Sequence, residues 1–325
     1  MPTHPTLPPK SCTNPLSSVN LFHTLSVQHT HYDHSLTERV TAISVTCNSS
    51  HCIGGLAQSL SVFQNIIIVD NNSTDGTAES VKSALPRATL IRNSKNLGFG
   101  VANNLALSAT TTPYALLVNP DCTASEETVL ALLRAVNDHP YAAIIAPALS
   151  RPNGNLELSY RWPRGRWRSD GPAATGACCV GFVSGAVMLL NLSQMADVGF
   201  FDENFFLYYE DEDLCERVFS NKKQIIVIPE IKFTHHGRGS VKGKQSLRFE
   251  FIRGYHHAQS KIIFRYKYNG AAAAHRLRQR TLLLALIAVL PRLLLLQPKY
   301  LARLCGRIVA LIRVKIPDDS TYSNK

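Results

Sequence analysis

The sequence lacks several features that would place it outside ordinary globular proteins. Its eight cysteines include no Cys-x-x-Cys pair and no Cys/His spacing typical of a zinc site. No charged N-terminal segment precedes an apolar run, so we predict no signal peptide and expect most cysteines to be reduced. Glycine and proline (18 and 17 of 325 residues) are too few for a collagen-like chain, and 45% hydrophobic residues are too many for a disordered one.

Acidic residues are scarce in the C-terminal part of the chain. Residues 238–325 contain 18 Lys and Arg but three acids, whereas residues 1–237 contain 16 Lys and Arg and 20 acids. The net charge of the whole chain is +11. A basic segment of this kind indicates an anionic partner, of which nucleic acid, a membrane surface and a phosphorylated substrate are the usual classes.

Apolar strand-like runs alternate five times with segments of helical spacing. Short links join them, which predicts an α/β fold with a doubly wound, mostly parallel sheet. Residues 1–39 are rich in Pro, Ser, Thr, His and Asn and are predicted to form a flexible extension. The predicted strands are 40–46, 65–70, 88–92, 114–118, 142–146, 180–190 and 224–228, and the predicted helices are 53–63, 78–85, 100–108, 125–137 and 210–219.

Polar clusters follow three of the predicted strands. They are Thr46-Cys47-Asn48, Asp70-Asn71-Asn72 and Asn119-Pro120-Asp121. Ligands of parallel α/β sheets bind outside the carboxyl ends of the strands. The sequence therefore predicts one crevice into which all three clusters project.

Five segments, in order and suitably spaced, together resemble the motifs of family 2 glycosyltransferases. The segments are VDNNSTDGT at 69–77, NLGFGVAN at 96–103, NPD at 119–121, VGFFDE at 198–203 with FLYYEDEDLCER at 206–217, and His235 with Ser240. NPD resembles a variant of the family's DxD motif. The resemblance covers residues 40–265 and is strongest to rhamnosyltransferase-like enzymes of bacterial cell-surface polysaccharide assembly.

The resemblance implies a GT-A fold that binds a nucleotide diphosphate sugar. The residues expected to bind it are Thr46, Asn48, Asp70, Asn72, Gly98, Gly100, Asn103 and Asn119. Asp70 could accept a hydrogen bond from a pyrimidine N3–H, with a helix cap or Asx turn as the alternative. Gly98 and Gly100 would let the backbone approach the nucleotide.

Asp121 and His235 are the expected ligands of a divalent cation, Mg²⁺ or Mn²⁺. Such a cation bridges diphosphate oxygens and offsets the charge of the leaving nucleotide. Asn119 stands where the stricter form of the motif has Asp, which removes one charged ligand. The alternatives are that Asp121 caps a helix and that His235 is structural.

Asp211 is the expected catalytic base. Inverting sugar transfer needs one carboxylate to take the proton of the acceptor hydroxyl. Asp211 lies in a run of four acids, residues 210–213, whose mutual repulsion would raise some of their pKa values. The alternative is a solvated acidic helix start, with Asp213 pairing with Arg217 four residues later.

The most apolar stretch, TLLLALIAVLPRLLLL at 281–296, is shorter than the roughly 20 residues that a membrane-spanning helix needs. It contains Pro291 and Arg292, and basic residues flank it on both sides. We predict a kinked helix lying in the interface of an anionic membrane, within basic amphipathic helices over 266–325. A helix buried in the core is the alternative.

These expectations combine into one functional hypothesis. After the extension, residues 40–265 would form the catalytic domain, with a nucleotide-binding half at 40–125 and an acceptor and catalytic half at 126–265. The enzyme would move a sugar, rhamnose being one candidate, from a nucleotide diphosphate sugar to a lipid-linked glycan in cell-surface polysaccharide biosynthesis. Its predicted location is cytoplasmic, peripheral on the inner membrane.

Two rival classes remain open at the level of sequence. One is a catalytically inactive nucleotide-sugar-binding or assembly scaffold protein at the membrane. The other is a nucleic-acid-binding protein, against which the leucine run argues, because an arm that binds phosphates should be polar.

Overall fold

Ten strands form one mixed sheet in the computed structural model, which describes residues 35–162, 173–237 and 247–317. Two further strands form a separate ribbon. The strands are β1 (Val40–Thr46), β2 (Asn65–Asp70), β3 (Thr89–Arg92), β4 (Tyr114–Val118), β5 (Cys122–Thr123), β6 (Ala142–Ser150), β7 (Leu156–Glu157), β8 (Tyr160–Arg161), β9 (Cys178–Cys179), β10 (Phe182–Val183), β11 (Val187–Asn191) and β12 (Gln224–His235).

Helices cover both faces of the sheet and continue into the C-terminal part. They are α1 (Ile53–Ser59), α2 (Thr77–Ala84), α3 (Phe99–Ser108), α4 (Glu126–Asp138), α5 (Leu192–Met195), α6 (Glu210–Ser220), α7 (Leu247–Ile287), α8 (Val289–Leu294) and α9 (Pro298–Arg313), with a 3₁₀ turn at Ser50–Cys52. The boundaries of α1 to α4 lie near those predicted, although α1 ends four residues earlier. Ser125 caps α4, accepting a hydrogen bond from the amide of Thr128 at 3.2 Å.

The sheet is parallel in its first half and mixed in its second. Its order is β3-β2-β1-β4-β11-β6-β12-β5, and β1 to β4 pair in parallel. β11 runs antiparallel to both β4 and β6. The single strand predicted over 180–190 is wrong, because residues 182–183 pair with β8 and only residues from Val187 onward enter the main sheet.

The sheet core explains the continuous apolar runs of the sequence. All nine residues of β6 and five of the six residues of β2 are buried. A strand with helices on both faces buries side chains in both directions, so its sequence need not alternate.

The folded part of the chain begins earlier than predicted, since residues 35–38 form a helical turn and Leu36 packs into this core. The rest of the predicted extension, residues 1–34, lies outside the described residues.

The long helix α7 is kinked and packs against α9. Gly270 takes backbone angles of φ 78° and ψ 171°, which favour glycine, and divides the helix into two parts. The boundary predicted at 265/266 falls inside α7. The two helices approach so closely that a Cβ on Gly254 would lie 1.9 Å from the Arg303 carbonyl oxygen. An ion pair from Arg303 Nε to Glu250 Oε2, 2.6 Å long, ties the same two helices together.

Most leucines of the apolar run are exposed. Leu283, Leu284, Leu290 and Leu294 are 56–73% exposed, so the alternative of a buried core helix is wrong. The predicted interruption is confirmed, because α7 ends at Ile287 and a new helix begins at Val289. Among the described residues, no helix has the length and apolar character that crossing a membrane would require.

Candidate active site

A cavity of about 430 Å³ opens at the carboxyl ends of β1, β2 and β4, where the sequence predicted a crevice. Its polar lining comes from all three predicted clusters, from the loop before α3, from the turn before α6 and from the first part of α7. The lining residues include Cys47, Asn48, Ser49, Asn71, Asn96, Gly98, Asn119, Asp121, Tyr208 and Arg253. We refer to it as the first cavity.

Asparagines form the tight turns at the strand ends. Asn48 and Asn72 have positive φ angles of 54° and 65°, a conformation that Asn tolerates better than most residues. The side-chain oxygen of Asn48 accepts a hydrogen bond from the amide of Thr74 at 2.8 Å, and its amide donates to the Ser73 hydroxyl at 2.9 Å. These bonds lock two strand-end loops together. Asn72 does not line the first cavity, whereas Asn48 does.

Asn71 organises the cavity wall, and the sequence reasoning missed it. Its side-chain amide donates to Asn96 Oδ1 at 2.8 Å and to the Gly98 carbonyl at 3.0 Å. Its side-chain oxygen accepts from the amide of Leu97 at 2.9 Å. The signal in the sequence was an amide residue between two predicted site residues, Asp70 and Asn72, together with Asn96 at the start of the second motif.

Thr46 and Asp70 lie beneath the cavity rather than on its surface. Thr46 is fully buried and its hydroxyl donates to the Val69 carbonyl at 3.4 Å. Asp70 is 1% exposed, accepts from the amide of Ser73 at 3.2 Å and lies 3.7 Å from Arg92 Nε. This local bond from the side chain to a backbone amide three residues on is a structural role of the kind that the sequence left open as the alternative.

The residues of the NLGFGVAN segment at 96–103 have packing roles in the fold. Gly98 has φ 88°, and a Cβ there would lie 2.3 Å from the Phe206 carbonyl oxygen. Gly100 faces Phe201, 2.9 Å from where its Cβ would be, and the Asn103 side chain donates to the Phe99 carbonyl at 3.0 Å. Gly98 lines the first cavity, but Gly100 and Asn103 do not.

Asp121 and His235 meet at the edge of the first cavity. β5 pairs antiparallel with the end of β12, and His235 lies opposite Cys122 in that ladder. Asp121 Oδ2 is 3.7 Å from His235 Nε2. The sequence predicted a strand only to residue 228 and a loop at 234–240; instead β12 continues through a bulge to His235, while Ser240 lies outside the described residues.

Glu157 orients the imidazole. Its Oε2 lies 2.8 Å from His235 Nδ1, and a hydrogen bond to a carboxylate requires the proton on that nitrogen. In the neutral ring Nε2 then keeps its lone pair and faces Asp121. A carboxylate behind a metal-bound imidazole is the usual supporting arrangement, so these residues fit a divalent cation. No feature of the sequence indicated Glu157.

Cys122 is the third potential ligand near this point. Ligand atoms of Asp121, Cys122 and His235 all lie within 4.8 Å of one another. Burial raises the pKa of the Cys122 thiol well above its ordinary value, so the thiol remains protonated at neutral pH. Mg²⁺ and Mn²⁺ also prefer carboxylate oxygen and imidazole to thiolate, so Asp121 and His235 are the better-suited ligands.

A second cavity of about 1140 Å³ lies beside the first, and Tyr208 lines both. Asp211 lines this second cavity. Its Oδ2 accepts from the amide of Gly185 at 3.0 Å, and its Oδ1 accepts from the amide of Glu212 at 2.9 Å. These two hydrogen bonds hold the carboxylate in one orientation at the wall of the second cavity.

The four acids at residues 210–213 directly follow a strained turn. Tyr208 and Tyr209 both have positive φ angles, 67° and 69°, which cost free energy in residues with large side chains. α6 begins directly after them, so Glu210 to Asp213 occupy its first turn. Strain of this kind is common where a site must hold a group in a fixed place.

The four acids of this turn have different surroundings. Burial raises the pKa of Asp211, although the hydrogen bonds from backbone amides favour its charged form. Burial and the charge of Asp211 raise the pKa of Glu212, which pairs with Arg161 at 3.0 Å. Burial raises the pKa of Glu210 well above its ordinary value, and no hydrogen-bond partner of its Oε2 lies among the described residues.

Asp213 has a structural role. The predicted pair with Arg217 is confirmed at 2.9 Å. Asp213 Oδ1 also lies 2.6 Å from Lys267 Nζ and 2.8 Å from the Tyr268 hydroxyl. Both partners belong to α7, so this buried carboxylate fixes the long helix to the α/β domain.

Glu210→Gln should stabilise the fold at neutral pH. The folded state keeps Glu210 protonated over a range in which the unfolded chain ionises it, so Glu210 costs stability as the pH rises from its ordinary pKa to its raised one. A neutral amide removes this cost. We expect the melting temperature to rise by a few degrees at pH 7 and to match the wild type near pH 4, since about 1 kcal/mol shifts it by roughly 2–4 °C in a domain of this size.

Differential scanning fluorimetry across this pH range measures the effect. Glu203→Gln, at an exposed glutamate in the preceding loop, is the matched control and should leave the melting temperature unchanged. Equal melting curves for Glu210→Gln and wild type at every pH would show that Glu210 is ionised in the folded protein.

The mixed sheet with helices on both faces is a GT-A fold. The mannosyltransferase PcManGT from Pyrobaculum calidifontis, in complex with GDP-Man and Mn²⁺, superposes with a TM-score of 0.50 at 14% sequence identity. The superposition covers 91% of this chain and 96% of that chain. At this identity the similarity establishes a shared fold, and the predicted GT-A fold is confirmed.

Residues 41–188 form a family 2 glycosyltransferase domain, since they match the model of the family described as Glycosyl transferase family 2. Two relatives, both N-acetylglucosaminyl-diphospho-decaprenol L-rhamnosyltransferases of Mycobacterium tuberculosis (strains CDC 1551 / Oshkosh and ATCC 25618 / H37Rv), are 27% identical over 203 residues. The aligned part covers 53% of this chain and 66% of each relative.

Proposed function

We propose that this chain is an inverting glycosyltransferase that moves a sugar from a nucleotide diphosphate sugar to a lipid-linked glycan. The observation that carries the proposal is the placement of two functional groups. Asp121 lines the first cavity, with His235 3.7 Å from its carboxylate, and the oriented carboxylate of Asp211 lines the second. A donor in one cavity and an acceptor in the other would meet beside Tyr208.

A short segment connects the two cavities. The amide of Gly185 donates to Asp211, and the carbonyl of the next residue, Ala186, accepts from the amide of Asn119 at 2.8 Å. Asp211 is thus separated from the Asn119–Asp121 turn by only two backbone residues. This proximity supports single displacement, in which the base and the donor must lie on either side of the reacting carbon.

Asp121 and His235 would hold a divalent cation against the donor diphosphate. A bound cation supplies charge neutralisation of the leaving nucleoside diphosphate. Two protein ligands leave the remaining positions to diphosphate oxygens and water, as is usual for Mg²⁺ and compatible with Mn²⁺. Asn48, Asn96 and Asn119 offer amide groups along the rest of the first cavity.

Asp211 would act as the general base. The acceptor hydroxyl oxygen attacks the anomeric carbon while its proton passes to the Asp211 carboxylate. The bond from that carbon to the diphosphate oxygen breaks, and the nucleoside diphosphate leaves with the electron pair. A raised pKa suits this role, because a stronger base removes the proton more readily.

The relatives suggest the substrates. Their names specify an L-rhamnosyl group and an N-acetylglucosaminyl-diphospho-decaprenol acceptor. We therefore infer that rhamnose is the sugar to test first and that the acceptor is a lipid-linked glycan of cell-surface polysaccharide assembly. The exposed leucines beside basic residues would place the enzyme at the cytoplasmic face of the inner membrane, where such an acceptor is embedded.

A donor panel tests the proposal. Purified full-length protein is heated with dTDP-, UDP- and GDP-sugars, each with Mn²⁺, with Mg²⁺ or with EDTA. We expect one donor, dTDP-rhamnose first, to raise the melting temperature by several degrees only when a cation is present, since a ligand at 100 times its Kd adds about 2.7 kcal/mol. ATP under the same conditions is the control. Absence of a shift with every donor and cation would favour the scaffold alternative.

A further inference from the structure

The second cavity is unusually rich in cationic side chains. Its lining residues include Arg161, Lys261, Arg265, Arg276 and Arg280, together with the carboxyl groups of residues 210–212. Arg161 is paired with Glu212. The other four cations all belong to α7.

The kink in α7 gathers these four cations around one space. Lys261 and Arg265 precede Gly270, and Arg276 and Arg280 follow it. A straight helix would spread residues 261–280 along about 30 Å. Because the helix changes direction at Gly270, both of its parts contribute to the wall of the same cavity.

Beyond the Arg161–Glu212 pair, four cations line the cavity together with the carboxyl groups of Glu210 and Asp211, and this excess of positive charge favours binding of an anion. Arg276 and Arg280 are both exposed, and within residues 35–162, 173–237 and 247–317 neither has an ion-pair partner. Arg265 donates to the Asn269 side chain at 2.9 Å, a neutral partner. Arg276 and Arg280 therefore remain available to an anionic ligand.

The exposed leucines begin where the cationic wall ends. Leu283, Leu284 and Ile287 are 60%, 56% and 62% exposed. At 1.5 Å per residue, Leu284 lies about 6 Å and Ile287 about 10 Å along the helix from Arg280. The helix thus presents a cationic pocket followed at once by an apolar surface, which is the complement of an anionic headgroup attached to a hydrocarbon chain.

We propose that the second cavity binds the diphosphate of the lipid-linked acceptor, with Arg276 and Arg280 contacting its oxygens. The leucine surface at residues 283–296 contacts the first part of the lipid chain. The sugar attached to the diphosphate then extends toward Asp211, which lines the same cavity. This inference rests on the proposed function and assigns a site to its acceptor.

Soluble prenyl compounds test this site without a glycan. Farnesyl diphosphate, farnesyl monophosphate and farnesol are titrated into full-length protein in the presence of saturating UDP and Mn²⁺, which would fill the proposed donor site in the first cavity. We expect the diphosphate to bind at least tenfold more tightly than farnesol, with the monophosphate between them. Arg276→Glu and Arg280→Glu should each weaken diphosphate binding at least tenfold.

Arg278→Glu is the matched control. Arg278 lies on the same helix between the two test positions but does not line the cavity, so binding should change by less than twofold. Equal weakening by the Arg278 and Arg280 variants, or equal affinity for farnesyl diphosphate and farnesol, would overturn the proposal.

Two further measurements distinguish this site from a general headgroup surface and from the donor site. The first is flotation with phosphatidylglycerol vesicles: if Arg276→Glu and Arg280→Glu reduce flotation but leave farnesyl diphosphate binding intact, the proposal is wrong. The second is the donor-induced melting shift, which should persist in both variants. A wild type that lacks that shift but binds farnesyl diphosphate would disprove the proposed function and leave the prenyl diphosphate site standing.

Discussion

Asp211→Asn is expected to lower kcat by about 10²–10⁴-fold, because general-base catalysis contributes a factor of that size. Asparagine has almost the same shape and can still accept the hydrogen bond from the amide of Gly185, but it cannot take the proton of the acceptor hydroxyl. The proposed donor site lies in the other cavity, so the donor-induced melting shift should remain. The measurement is the initial rate of sugar transfer to a prenyl-diphosphate-linked GlcNAc.

The control for this variant is Glu216→Gln, which removes a carboxylate from the same helix outside the second cavity. It should retain nearly the full rate. A rate loss of less than tenfold for Asp211→Asn would assign the base to another group, with Glu212 as the next carboxylate in the cavity.

The wild-type rate should also depend on pH in a defined direction. A base works only when deprotonated, so the rate falls as the pH drops through the pKa of Asp211. Burial raises this pKa, and the decline should therefore begin above the pH range of an ordinary aspartate. An acid limb at or below the ordinary range would contradict the assignment.

Asp121→Ala is expected to abolish cation-dependent donor binding and to lower transfer at least 10²-fold. Loss of the only carboxylate of the proposed ligand pair leaves an imidazole alone, which holds Mg²⁺ and Mn²⁺ poorly. Charge stabilisation by a bound cation is worth several kcal/mol, and each 1.36 kcal/mol corresponds to a factor of ten in rate. The readouts are the donor-induced melting shift with and without Mn²⁺ and the transfer rate.

Glu157→Gln gives a graded version of the same test. Glu157 contacts His235 and not the cation itself. Its loss should therefore weaken Mn²⁺ affinity by about 10–100-fold without abolishing it. Asp197→Asn, at an exposed carboxylate far along the chain from these residues, should behave as wild type.

A full Mn²⁺-dependent shift in Asp121→Ala protein that is folded, as judged by circular dichroism, would disprove the cation site.

The sequence predicted the features that depend on neighbours along the chain. Continuous apolar runs gave β2 and β4, because a strand buried on both faces contains few polar residues. The polar clusters at the strand ends predicted the place of the first cavity, since parallel strands end at one edge of the sheet. The acidic start of α6 and the interruption of the leucine run were also readable from local patterns.

Sequence reasoning was least successful where a residue's surroundings come from distant segments. Asp70 was predicted to bind the nucleotide, and the sequence did not indicate that Ser73 and Arg92 contact its carboxylate. Glu157 carried no signal, because its partner His235 is 78 residues away. The antiparallel β11 within a sheet predicted to be mostly parallel was missed as well, since apolar runs do not specify strand direction.

The sequence by itself determined the strands, the helices and the edge of the sheet where polar groups gather, because hydrophobic periodicity and turn chemistry act over a few residues. Only the tertiary structure decided which polar groups meet. The pairing of β5 with β12 brought Asp121 to His235, the Gly185 turn fixed Asp211, and the kink at Gly270 placed four cations of α7 around one cavity. Each of these contacts depends on chain segments that come together only when the whole core is packed.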